Sequence, residues 1–302
     1  MDLQLRPLAL DPTQLDGLSA RLITSHHENN YAGAVKRLNA IRQQLSKLDW
    51  PGTPVFAING LKREELIAAN SAWLHELYFD SLGGNGVVPV GGMSVALERD
   101  FGSVARWHDE FGSLAKAMGG GSGWALLSWS AREARLINHW AADHTHLLAG
   151  ATPILAIDMY EHAYHMDFGA KAGAYVDAFM KNIEWHGVFR RYADAVQIDS
   201  MQWAAQPADS SKYSQVVDVR RAETYAQGTE KLRGATWRDP TQVASWSDEL
   251  DRSEPVLVYC LHGLDIGRSS ALALRARGLD AHFIVGGIEA CRVAGIQLSP
   301  KT

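Results

Sequence analysis

Apolar residues recur at helical spacing through three stretches of the first 120 residues. They are 15–49, "LDGLSARLITSHHENNYAGAVKRLNAIRQQLSKLD", 61–84, "LKREELIAANSAWLHELYFDSLGG", and 103–118, "SVARWHDEFGSLAKAM". The rhythm then changes. After "GGGSGW" come two short strand-like runs, "ALLSWS" and "EARLINHWA", parted by a polar turn, and "TPILAID" reads as a third strand. The stretch 174–196, "AYVDAFMKNIEWHGVFRRYADAV", carries the pattern of one long amphipathic helix. Helices, a small antiparallel sheet and a closing helix predict an α+β unit that opens with a helical hairpin.

From residue 215 the chain alternates. "QVVDVR", "PVLVYC" and "DAHFIVGG" read as buried strands, while "PTQVASWSDEL" and "GRSSALALRARG" read as helices between and after them. Such alternation predicts a small α/β unit with a parallel sheet. Between the two patterns, "AAQPADSSKYS" is poor in large aliphatic residues and reads as a connector. The expected division is therefore 1–203, a connector at 204–214, and 215–302.

Composition allows one large core or two ordinary ones, and length favours two. The chain has 302 residues, 46% of them hydrophobic, enough for two domains of ordinary size. The opening "MDLQLRPLALDPTQLDGL" lacks the basic-then-apolar order of a signal peptide, and no apolar run approaches a membrane span. A cytoplasmic protein with no membrane partner is expected. A net charge of -5 offers no basic stripe for nucleic acid. Cys260 and Cys291 are the only cysteines, too few for a disulfide framework or a thiolate metal site. A metal, if held, is held by histidine and carboxylate.

The segment "IDMYEHAYH" places Asp158 and His162 four apart beside aromatics. With His75, and with His26 or His27, they form a set of three imidazoles and one carboxylate. That set suits iron or manganese and leaves a coordination position for solvent or substrate. Residue types alone leave open a second reading, a buried hydrogen-bonded network with Asp158 capping the turn after it.

"DMYEHAYH" resembles the D-x-W-E-H-A-Y-Y signature of the iron/manganese superoxide dismutases, and "GSGWALL" resembles that family's G-S-G-W-x-W-L. "SHHENNYAGAVKRLN" is similar to the family's first helix and "NSAWLHELYFDSL" to its N-H-x-F-x-W segment. The resemblance implies one iron or manganese ion per chain, bound by His26, His75, Asp158 and His162. Counting back from Leu38-Asn39 without a gap puts His26, rather than His27, at the ligand position. Superoxide is the implied substrate and the chain the implied enzyme. Glu161 matches a glutamate that bonds the partner subunit's ligand histidine, so a homodimer is expected, with Tyr160, Tyr164 and Trp124 around it.

Several positions depart from the family pattern. A tyrosine and a histidine of the first helix are replaced by Ala34 and Asn30, and Tyr31 is expected to refill part of that space. Phe79 and Tyr160 stand for tryptophans, His165 for the last tyrosine of the signature, and Ser71 for a solvent-binding glutamine. His144 occupies a place where some members keep a glutamine or histidine for that role, so His144 and Tyr31 join the expected catalytic residues. Lys36, Arg37 and Lys171 are expected to draw in an anion or simply to be solvated.

Residues 213–300 resemble a single rhodanese module, through "VVDVRRAETYAQG" and "IVGGIEACRVAG". The resemblance makes Cys260 the sulfur-carrying residue. The loop departs from C-x-x-G-x-R-S: Gly263 keeps its place, but Arg268 comes three residues late and Asp265 adds a negative charge that raises a thiol pKa. Ile266 stands where a cysteine phosphatase needs arginine. Cys291 reads as core. The alternative to a dismutase is thus a sulfurtransferase or thiol sensor using Cys260, with the first half a metal-bearing dimerisation module.

Overall fold

The computed structural model describes residues 2–301. Ser19 caps the first helical stretch, its hydroxyl accepting from Leu22 N at 3.1 Å. The stretch runs in three pieces: α1 (Ala20–Ser25), a π-helical segment (His26–Tyr31) and α2 (Ala32–Leu45). The helix expected over 15–49 therefore starts later and widens in its middle. A π turn rotates the following side chains around the axis, and here the consecutive His26 and His27 are both buried. α3 (Val55–Phe79) runs back beside α2, with Leu38, Ile41 and Leu45 packed on Ala68 and Ala69. This is the expected hairpin.

α4 (Gly92–Phe101), which the apolar pattern did not announce, and α5 (Val104–Ala117) lead into the sheet. Its strands are β1 (Trp124–Ser130), β2 (Arg135–Ala141) and β3 (Ala151–Asp158), antiparallel in the order β2-β1-β3. β1 is buried at every residue, which is why it reads as a continuous apolar run rather than an alternation. Its register puts Trp124 opposite Asp158.

The single helix expected over 174–196 is two. After the short α6 (His165–Phe168), α7 (Ala172–Lys181) ends at Asn182 and α8 (Trp185–Ser200) begins after Glu184. Asn182 turns its amide to Ala178 O and Asp16 O, both at 2.8 Å, and accepts from Asp16 N. Ile183 bridges to Leu82, and the Glu184 carboxylate caps α8 through His186 N and Gly187 N. Local polar bonds thus outcompete two helical turns that the apolar spacing alone would have joined.

The polar stretch 204–214 is not a loose connector. Its first residues form β4 (Ala204–Ala205), and a 3₁₀ turn follows over Pro207–Lys212. The second unit continues with β5 (Gln215–Asp218), α9 (Ala222–Gln227), β6 (Glu230–Leu232), β7 (Thr236–Trp237), α10 (Val243–Trp246), β8 (Val256–Tyr259), α11 (Asp265–Arg275), β9 (Ala281–Ile284), α12 (Gly287–Val293) and β10 (Leu298–Pro300). The main sheet is parallel, in the order β4-β9-β8-β5-β7, and β10 pairs with β6. The helix expected at 240–250 is a single α turn between two 3₁₀ turns, folded back where Trp246 Nε1 donates to Asp239 O at 2.8 Å.

The two units share an interface formed by α4, α8 and α11. Leu272 of α11 belongs to the first unit's apolar core. Arg268 Nη1 donates to Ser200 Oγ at 3.1 Å, and the Arg275 guanidinium lies 3.2 Å from the centre of the Trp203 ring. Asp265 sits so close to α4 that a Cβ at residue 92 would fall 1.6 Å from its Oδ2, a place only Gly92 leaves free.

Candidate metal centre

Four elements each bring one group to a buried point: His26 from the π segment, His75 from α3, Asp158 from the end of β3, and His162 from the turn after it. One ligand atom of each lies within 4.8 Å of all the others. Asp158 Oδ2 is the hub, with His26 Nε2 at 3.1 Å, His162 Nε2 at 3.2 Å and His75 Nε2 at 3.4 Å. The other oxygen, Oδ1, accepts from Tyr160 N at 2.8 Å and fixes the turn. Asp158 and His162 therefore meet through a strand end and an aspartate turn, not along one helix face.

His75 tells what the cluster is built for. Its Nδ1 donates to Ser71 O at 2.6 Å, so a neutral ring keeps a lone pair on Nε2. That lone pair faces a carboxylate oxygen at 3.4 Å, and among the described residues Nε2 has no hydrogen-bond partner. Two buried acceptors face to face are repulsive unless a cation lies between them. Burial pushes the His75 pKa down to about 3 and lowers that of His26 as well, so both rings stay neutral and available as ligands. Burial acts to raise the Asp158 carboxyl, but hydrogen bonds from His162 and His26 hold it below the ordinary carboxylate range. Neutral imidazoles around a buried carboxylate fit a transition ion.

A second layer supports these groups. Trp124 Nε1 donates to His144 Nδ1 at 2.9 Å, and an indole N–H cannot accept, so the neutral His144 ring carries its proton on Nε2. His144 stacks on Tyr160 at 4.9 Å, which in turn stacks on His162 at 5.5 Å. Asn70 Nδ2 holds His144 O at 2.6 Å. Tyr78 lies 5.0 Å from His26 between ring centres, and its hydroxyl accepts from Tyr175. Asn70 carried one signal, a lone amide within an apolar helical run.

The other expected site residues divide. His27 turns away and donates to Arg6 O at 2.8 Å. The Tyr31 ring lies over His75, but its hydroxyl donates to Glu76 Oε1 at 2.7 Å and accepts from Arg6 N. It does not refill the space beside Ala34. That space is a recess of about 320 Å³ reaching His75, His144 and His162. Tyr164 is buried against Tyr175, and Glu161 is exposed.

Cys260 lies apart, at the end of β8 in the second unit. Its buried thiol is pushed up by burial and by Asp265, and drawn down by the backbone N–H groups of Gly267, Leu264 and Gly263. Gly263, at φ +64°, allows the loop to close: a Cβ there would fall 2.4 Å from Ile284 O. Cys291 is fully buried core.

The chain is similar to known proteins along both units. Residues 89–191 match the C-terminal domain of iron/manganese superoxide dismutases, and residues 200–294 match a rhodanese-like domain. A superoxide dismutase [Fe] of Cupriavidus metallidurans is 61% identical over 194 residues, which cover 64% of this chain and 98% of that protein. A superoxide dismutase [Fe] of Aquifex pyrophilus is 34% identical over 62% of this chain and 90% of its own length, and superoxide dismutase [Mn] 1 of Haloferax volcanii 31% over 65% and 98%. With a relative of that identity spanned almost end to end, the chain belongs to the iron/manganese superoxide dismutase family and carries a rhodanese-like domain after it.

Proposed function

We propose that this chain is a superoxide dismutase that holds one iron or manganese ion per chain through His26, His75, Asp158 and His162. The observation that carries this reading is the unpartnered His75 Nε2 facing Asp158 Oδ2, a geometry that calls for a cation. Such an ion would supply the one-electron chemistry that turns two superoxide anions and two protons into oxygen and hydrogen peroxide. The protein's residues do the rest. Ser71 O fixes the His75 ring, Tyr160 N fixes Asp158, and Trp124 sets His144 as a donor through Nε2–H, where it can hold solvent or hand on a proton. Tyr31 acts on this site only by packing on His75.

The assembly is a homodimer in which Glu161 reaches the partner's ligand histidine. The exposure of Glu161, and of 29% of the His162 side chain, supports this. The two units are residues 1–203 and 215–302, with 204–214 joining them. Two unpaired cysteines suit a reducing compartment, the cytoplasm. In the second unit the amide-lined thiol loop supports a sulfur-carrying role for Cys260, while Asp265 weakens it.

Metal analysis and a dismutation assay on one sample test the reading. His75→Ala and Asp158→Ala are expected to lose both metal and activity, whereas Cys260→Ser keeps both. Activity that survives loss of either ligand overturns the assignment. Glu161→Ala is expected to shift sedimentation toward the monomer.

A further inference from the structure

The recess beside the metal cluster is far larger than superoxide requires. A bound water takes roughly 30 Å³, and a cavity of about 150 Å³ is enough to hold benzene; this recess measures about 320 Å³. Its size comes from short side chains on facing helices. Gly33 and Ala34 on α2 oppose Ala68 and Ser71 on α3, and Ile67 adds an apolar wall. Tyr31, three residues before Ala34, is held elsewhere by Glu76 and Arg6.

Away from the cluster the lining is mostly uncharged. At the inner end stand His144, whose proton is on Nε2, and the ligands His75 and His162. Ala34, Ile67 and Ala68 line the recess together with Asn29, Asn30, Gly33 and Ser71, all of them uncharged. Arg37, on the outer wall, is already paired with Glu64. One end thus suits a single anionic group and the remainder an uncharged body, so a monocarboxylate fits better than a dicarboxylate.

We propose that this recess binds a small monocarboxylate with an uncharged body, its carboxylate toward His144 Nε2 and the ion, its body between Ala34 and Ala68. The inference rests on the metal reading above. Ala34 is then a specificity-determining residue: it decides what size of anion reaches the ion.

The test uses the full chain in its native assembly, loaded with iron or manganese, and two probes of different size, azide and benzoate. Binding is read from the visible absorption of the loaded protein and from its melting temperature, not from turnover. Both probes are expected to bind the wild type. Ala34→Tyr is expected to weaken benzoate by at least about tenfold while azide changes by less than about threefold. Ala68→Phe fills the recess from the opposite wall and is expected to do the same, which covers a failure of the first variant to fold. Azide binding without benzoate binding in the wild type, or benzoate binding unchanged in both variants, overturns the inference and leaves the metal reading standing. A chain that takes up no metal, or shows no response to azide, overturns both.

Discussion

A buried histidine that must stay neutral makes the site sensitive to acid before any metal arrives. His75 is held at about 3 in the fold by burial, against about 6.5 in the unfolded chain. Between those values the unfolded state binds the extra proton, so the stability of the metal-free protein rises with pH through that window and falls as pH drops below about 6.5. One such group contributes a slope of about 1.4 kcal/mol per pH unit. Urea midpoints of the apoprotein from pH 4 to 8 measure it, and His75→Gln, which cannot titrate, is expected to flatten it. Asp158 and His162 were legible in the sequence because they sit four apart in a recognisable segment. The orientation of Tyr31 was not, since it is decided by Glu76 and Arg6, which lie 45 and 25 residues away. Nor was the choice between His26 and His27 visible in local spacing, because a π turn buries both.

Elements were legible where one apolar face dominates and lost where polar side chains act locally. The three strands of the first sheet and the order β5, β8, β9 in the second follow the apolar runs. The break between α7 and α8 depends on Asn182 and Glu184 bonding to backbone, which periodicity does not register. The two-residue edge strands β4 and β7 are too short to leave a pattern. In the loop after β8, conformation and close approach act together at Gly263. Gly263→Ala places a side chain at φ +64° and 2.4 Å from Ile284 O, so a loss of about 1–3 kcal/mol is expected from the backbone alone, more with the clash. Faster alkylation of Cys260 in the folded protein, compared with the wild type, checks that the loop has opened.

The two units touch directly rather than hanging on a tether. Leu272 from the second unit completes the first unit's core and is 8% exposed. Leu272→Ala is expected to cost about 2–4 kcal/mol and to split a single melting transition into two, as the units lose their shared contact. Calorimetry of the apoprotein checks this; an unsplit transition at unchanged temperature refutes it. The sequence announced two units but not their contact, because α11 shows the same apolar pattern whether it faces its own sheet or a neighbour.

The short strand β4 has a mechanical consequence. It is the tail of the first unit's last helical segment and at the same time an edge of the second unit's sheet, paired in parallel with β9. A swivel hinged after β4 would peel a hydrogen-bonded strand, and one hinged before it would drag Arg268 off Ser200 and Leu272 out of the first unit's core. The second unit is then an outrigger braced at two points, expected to tumble with the first at a common rate.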